Sequence, residues 1–127
     1  IYGCAAGLDM TRRDLQNKAK ENRKPWDTSK DVDQSAVITP LRQMADVPSV
    51  GSGRIHLSQN GTIKQDADLS EMVWSVPEII ADLSTMYTLQ QGDVIYMGTP
   101  AGVGAVERGD VLTGGVEGIG DFEVKIV

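Results

Sequence analysis

The sequence predicts an α+β domain rich in β-structure. Three observations carry that prediction. Short apolar runs with strand-like spacing outnumber helical patterns. Nine of the fourteen glycines fall in the last 36 residues, as tight turns between short strands require. A strong hairpin signal, Asn60-Gly61, separates two polar-apolar segments.

Taken in order, residues 1–8 are small and apolar and predict a buried strand. Thr11 to Asn22 contains good helix formers and predicts a short helix that stops before Pro25. Prolines at 25, 40 and 48 make residues 23–53 mostly irregular, with a short strand near Ala36–Ile38. Arg54 to Gln59 alternates, Asn60-Gly61 supplies two positions of positive φ, and Thr62 to Gln65 is the return strand. Ser75-Val76-Pro77-Glu78 has the form of a capping box, and Val76, Ile79, Ile80, Leu83 and Met86 follow at helical spacing. A second helix to about Thr85 results. Val94–Met97, Val111–Leu112 and Phe122–Val127 complete the strands.

Composition bounds the function. The 127 residues suffice for one domain with a single core. A net charge of −6 removes the basic footprint of a general nucleic-acid binder. No apolar run reaches the length of a membrane helix, so neither nucleic acid nor membrane is an expected partner. The single cysteine, Cys4, excludes an internal disulfide and a multi-cysteine zinc site, which points to a cytoplasmic protein. The chain opens with Ile1-Tyr2-Gly3-Cys4, and residues 1–127 are expected to be one domain, the later part of a longer polypeptide. Charge is uneven: residues 11–30 carry seven basic and three acidic groups, and the remainder sits at −10. A basic segment in an acidic chain suits an anionic ligand, although a solvated helix face explains most of these seven.

Three clusters can carry chemistry. In Leu8-Asp9-Met10-Thr11-Arg12-Arg13-Asp14-Leu15-Gln16, Asp9 stands between a strand and a helix start, suited to a helix cap or a hard cation. Arg13 and Gln16, four and seven residues on, share its face and can hold a carboxylate and a carbonyl oxygen. Asp14 is expected to point elsewhere and pair with a base such as Lys18. The second cluster, Ser29-Lys30-Asp31-Val32-Asp33-Gln34-Ser35, contains a lysine that reads alone as solvent-exposed. The third, Met97-Gly98-Thr99-Pro100-Ala101-Gly102-Val103-Gly104, is a glycine-rich loop with one hydroxyl and backbone amides able to face an anion. It lacks the ending of a P-loop. His56, the only histidine, reads as a surface residue, which disfavours Ser-His-Asp and Cys-His mechanisms.

Together these clusters, with Pro25-Trp26 and the run from Gly92 to Gly104, resemble the fumarylacetoacetate hydrolase family, and the likeness covers essentially the whole chain. It is nearest to the small bacterial members that act on fumarylpyruvate and other acylpyruvates. The resemblance implies a mixed β-roll, usually a homodimer, and a Mg²⁺- or Mn²⁺-dependent hydrolase that cleaves a carbon–carbon bond in a small-molecule diketo acid. It places Asp9 as a metal ligand and Lys30 as the catalytic lysine that meets a pyruvate enolate. It places Arg13, Gln16 and Thr99 on the substrate, with Thr99 at the pyruvoyl carboxylate. The chemistry agrees, because a pyruvoyl group offers hard oxygen donors and its enolate needs a cationic partner.

The family's Glu-x-Glu metal pair and its water-activating His-Glu dyad do not occur in these residues. The 127 residues alone are therefore expected to lack hydrolase activity. Asp31 and Val32 stand where the family often has a small residue and Phe, and Val37 where close relatives have Pro. The distal pocket, and with it the substrate, is the part these departures touch. Oxaloacetate decarboxylation, keto–enol isomerisation and a catalytically incomplete fragment are the competing readings.

Overall fold

The computed structural model describes residues 1–127. Eight strands and three α-helices follow one another in runs along the chain, in accord with the expected β-rich α+β class. Strand β1 (Gly3–Cys4) is followed by β2 (Gly7–Asp9), α1 (Arg13–Glu21), α2 (Asp27–Lys30), β3 (Ala36–Ile38) and β4 (Arg42–Gln43). Then come β5 (Arg54–Gln59), β6 (Thr62–Asp68), α3 (Val76–Met86), β7 (Val111–Val116) and β8 (Gly120–Lys125). No helix is long and apolar enough to cross a membrane.

The largest sheet is antiparallel, with the order β6-β5-β7-β8. Its first hairpin forms as its turn residues dictate. Asn60 and Gly61 both have positive φ, 52° and 78°, the geometry that matches the twist of paired strands. The Asn60 side chain ties the turn to the next strand: its Oδ1 accepts from the Val111 amide at 2.9 Å and its Nδ2 donates to Asp110 at 2.7 Å. A register shift lies between Leu57 and Ser58. In β7, Gly114 is required by close approach, since a side chain there would meet the His56 carbonyl and the Phe122 ring.

The expected strand over residues 1–8 is two short ones. β1 pairs with β4 and β2 with β3, and the chain changes partner at Ala6. There the Ala6 amide donates to Thr39 Oγ1 and its carbonyl accepts from the Thr39 amide. Ala6 alone in this stretch is buried. Helix α1 starts two residues later than expected and β8 two earlier, which leaves their faces unchanged. In α3, Glu78 reaches back to the Ser75 amide at 2.8 Å, as the capping pattern predicts.

Val94–Met97 is not a strand. Gly92, Gly98 and Gly102 all have positive φ, so the segment turns repeatedly and joins no ladder. Tyr96 anchors it by donating to the Val37 carbonyl at 2.8 Å. Gly7 leaves room for that ring on β2.

Nine of the 127 residues are buried, and four of those are the apolar side chains Ala6, Ala19, Leu112 and Val116. The apolar stripe of α3 is only half covered, and Met86 is exposed. What the elements do enclose is a broad cavity of about 650 Å³ between the β2–α1–α2 unit, the main sheet and the loop around Thr99.

Candidate functional site

The cavity brings all five residues singled out from the sequence onto one wall system: Asp9, Arg13, Gln16, Lys30 and Thr99. Asp9 ends β2, opposite Ala36 of β3. Lys30 ends α2, and local hydrogen bonds fix that short helix against the start of α1. The Arg12 amide donates to the Ser29 carbonyl at 3.0 Å, and Ser35 Oγ donates to the Lys30 carbonyl at 2.9 Å. Residues 21 apart in sequence thus meet: Lys30 Nζ donates to Asp9 Oδ2 at 2.6 Å and to Thr11 Oγ1 at 2.8 Å.

This geometry corrects the helix-cap alternative for Asp9. The carboxylate faces a lysine and caps no amide, while the α1 start has no side-chain cap. Asp31 does not take Lys30 either, and Asp14 forms no ion pair with Lys18 or any other base. Asp9 Oδ1 accepts no hydrogen bond, so one oxygen remains for a cavity ligand.

Arg13 and Gln16 lie three residues apart on α1, and Arg13 Nη1 donates to Gln16 Oε1 at 2.7 Å. Arginine can only donate, so the amide oxygen of Gln16 must face it and the Gln16 NH₂ is left to donate elsewhere. Gln16 is 3% exposed, which fixes the guanidinium's neighbour firmly.

Thr99 sits in a loop that rests on β6. A side chain at Gly102, whose φ is +103°, would run into the Lys64 carbonyl. Gln65 Nε2 donates to Thr99 Oγ1 at 2.8 Å and to the Pro100 carbonyl at 2.6 Å.

Further residues of the cavity were not foreseen, and Asp14, expected to point elsewhere, lines it too. Thr11 and Gln65 hold Lys30 and Thr99, and only their partners' positions could have disclosed them. Tyr96 lines the cavity too; burial raises its phenol pKa, and the negative charge of Asp9 adds to the rise. His56, expected on the surface, is half-buried in β5 between β6 and β7 and also lines the cavity. The flanking strands β6 and β7 account for its partial burial.

No three Asp, Glu, His or Cys side chains gather into a metal-binding group. Asp9 and Asp14 are the two carboxylates that line the cavity, so these residues supply one part of a divalent-cation site and not a full ligand set.

The family described as "Fumarylacetoacetate (FAA) hydrolase C-terminal" matches residues 1–127 throughout. The chain belongs to the fumarylacetoacetate hydrolase family. Within it, a fumarylpyruvate hydrolase from Ralstonia sp is 52% identical over 126 residues, which are 99% of this chain and 65% of that protein. A mitochondrial oxaloacetate tautomerase from Rattus norvegicus is 35% identical over 126 residues, 99% of this chain and 57% of that protein. The crystal structure of fumarylpyruvate hydrolase from Pseudomonas aeruginosa in complex with Mn²⁺ and pyruvate superposes with a TM-score of 0.96. It is 42% identical, and the match covers 99% of this chain and 54% of that one. The chain thus spans less than two thirds of each of these fumarylacetoacetate hydrolase relatives.

Proposed function

We propose that residues 1–127 form the pyruvoyl-binding part of a metal-dependent acylpyruvate hydrolase, with fumarylpyruvate as substrate and fumarate and pyruvate as products. One observation carries the reading: Asp9, Lys30, Arg13, Gln16 and Thr99 line a single cavity. Similarity to the Ralstonia enzyme supports the substrate.

In this reading Asp9 holds Mg²⁺ or Mn²⁺ together with carboxylates that lie outside residues 1–127, which are one domain's worth of a longer catalytic unit acting as a homodimer. When bound, the cation polarises the oxygens of the pyruvoyl group. Arg13 and Thr99 bind the pyruvoyl carboxylate, and the free NH₂ of Gln16 donates to a carbonyl oxygen. Water adds to the distal carbonyl, the carbon–carbon bond breaks, and the electron pair leaves as pyruvate enolate. The Lys30 ammonium meets that developing charge. Protonation of the enolate carbon then completes pyruvate.

A second reading keeps the site and changes the outcome. Oxaloacetate presents the same oxalyl group, its enolate needs the same cation, and the rat relative is an oxaloacetate tautomerase. The full-length protein, assayed with Mn²⁺ on fumarylpyruvate and on oxaloacetate, decides between them. Stoichiometric fumarate and pyruvate, abolished by chelation, are expected. Oxaloacetate keto–enol interconversion without fumarylpyruvate cleavage would replace the hydrolase reading with the tautomerase one.

A further inference from the structure

Gln65 is 7% exposed, on the edge strand β6, and it touches no ion. A buried amide needs partners, and both of those shown lie in the loop after Gly98. The Pro100 oxygen is a carbonyl and can only accept, so the nitrogen end of the amide is the end that faces the loop. Its two N–H groups are spent on Pro100 O and on Thr99 Oγ1. Thr99 therefore receives a hydrogen bond on its oxygen, and its single hydroxyl proton must point away from Gln65. Thr99 lines the cavity.

We propose that Gln65 is a positioning residue that orients the Thr99 hydroxyl as a donor to the carboxylate of an α-keto acid. This rests on the pyruvoyl-site reading above. A threonine left alone can donate or accept, and its hydroxyl can turn a lone pair toward an anion. With Gln65 donating into one lone pair from behind, the proton is turned away from Gln65 and is left to donate to the ligand. Gly102 serves the same end: its bare backbone lets the loop settle onto the Lys64 carbonyl beside Gln65.

The test uses the full-length protein with Mn²⁺ and titrates pyruvate calorimetrically, so that no turnover is needed. Gln65→Met keeps length and burial but removes both donors. It should weaken pyruvate binding about tenfold, the equivalent of roughly 1.4 kcal/mol. With fumarylpyruvate it should raise KM by a similar factor and leave kcat within about threefold, because the carboxylate is held equally in ground and transition states. Thr99→Val should weaken pyruvate by a similar factor. Adding Gln65→Met to Thr99→Val should cause little further loss, since the second residue acts through the first.

A merely structural Gln65 predicts additive losses and a fall in kcat, and either result overturns the proposal. Should Gln65→Met fail to fold, Gln65→Glu, of equal size, replaces it. Its carboxylate accepts the Thr99 proton and faces the Pro100 oxygen, so pyruvate binding should weaken at least as much. Unchanged binding in Thr99→Val overturns the proposal whatever Gln65 variants do. Failure of the unmodified protein to bind pyruvate would remove the pocket reading itself, a result distinct from wild-type binding that Gln65→Met leaves intact.

Discussion

Replacing Lys30 by methionine is the sharpest perturbation of the proposed chemistry. The structure separates its effect on folding from its effect on rate. Lys30 Nζ makes two hydrogen bonds, to Asp9 at 2.6 Å and Thr11 at 2.8 Å. Its side chain is 32% exposed and that of Asp9 50%. A pair this open contributes no more than about 1 kcal/mol to stability after solvent screening. The melting temperature of the full-length protein should therefore fall by only about 2–4 °C. The charge that Lys30 meets in the enolate exists only near the transition state. Loss of one donor aimed at such an oxyanion costs about 2.7–4 kcal/mol, a fall in kcat on the order of 10²–10³. KM should change far less. Mn²⁺ affinity should not weaken, because the lost ammonium shares Asp9 with the cation. The assay is steady-state pyruvate release from fumarylpyruvate with saturating Mn²⁺, alongside a thermal melt and a Mn²⁺ titration. A kcat within about threefold of wild type, or a loss confined to KM, would refute the role assigned to Lys30.

Two further outcomes follow from the same geometry. Asp9→Ala should abolish Mn²⁺- or Mg²⁺-dependent turnover and weaken Mn²⁺ binding measured directly; normal metal-dependent activity would take Asp9 out of the site. Acid should loosen the main sheet. Asp110 is held below its ordinary value of 3.8 by the Glu107 amide first and then by the Asn60 and Gln59 side chains. Asp66 is likewise lowered by Arg54. Because both values are depressed on folding, their stabilisation is complete above the ordinary carboxylate value and is lost as pH falls through the folded one. The urea midpoint should hold from pH 7 to about 5 and drop below about 4. Asp110→Asn should lower the midpoint at pH 7 and shrink the acid-induced drop, and an unaltered pH profile would contradict this account.

Local chemistry was the legible part of the fold. Asn60-Gly61 demands two positive φ values, and Ser75 with Glu78 marks a helix start whatever surrounds them. Val94–Met97 was misread because its alternation says nothing about a neighbouring strand, and a ladder needs one. Residues 1–8 were small and apolar enough for one strand, but a change of partner at Ala6 is decided by Thr39, 33 residues away. His56 looked peripheral for the same reason. Its burial comes from β6 on one side and β7 on the other. The five expected site residues do converge on one cavity, but through the family resemblance; spacing alone left Lys30 a surface lysine and Asp9 a cap.

The buried polar residues reveal how so thin a core can hold a site in place. Only three polar side chains are buried, Gln16, Ser29 and Gln65, and each stands directly behind a residue proposed to meet ligand. Gln16 accepts from Arg13, and Gln65 donates to Thr99. Ser29, 0% exposed, closes the turn before Lys30 by donating to the Trp26 carbonyl, while its own carbonyl takes the Arg12 amide. Burying such groups costs free energy unless they are satisfied, and no fully buried side-chain nitrogen or oxygen lacks a partner. Apolar side chains of similar size would avoid that cost, yet they would leave the guanidinium, the threonine hydroxyl and α2 free to rotate. Hydrogen bonds have direction and apolar contacts do not, so a site that must present three polar groups at fixed angles gains from burying amides and hydroxyls behind them. The polar share of this core is thus best explained by orientation of the ligand-facing groups.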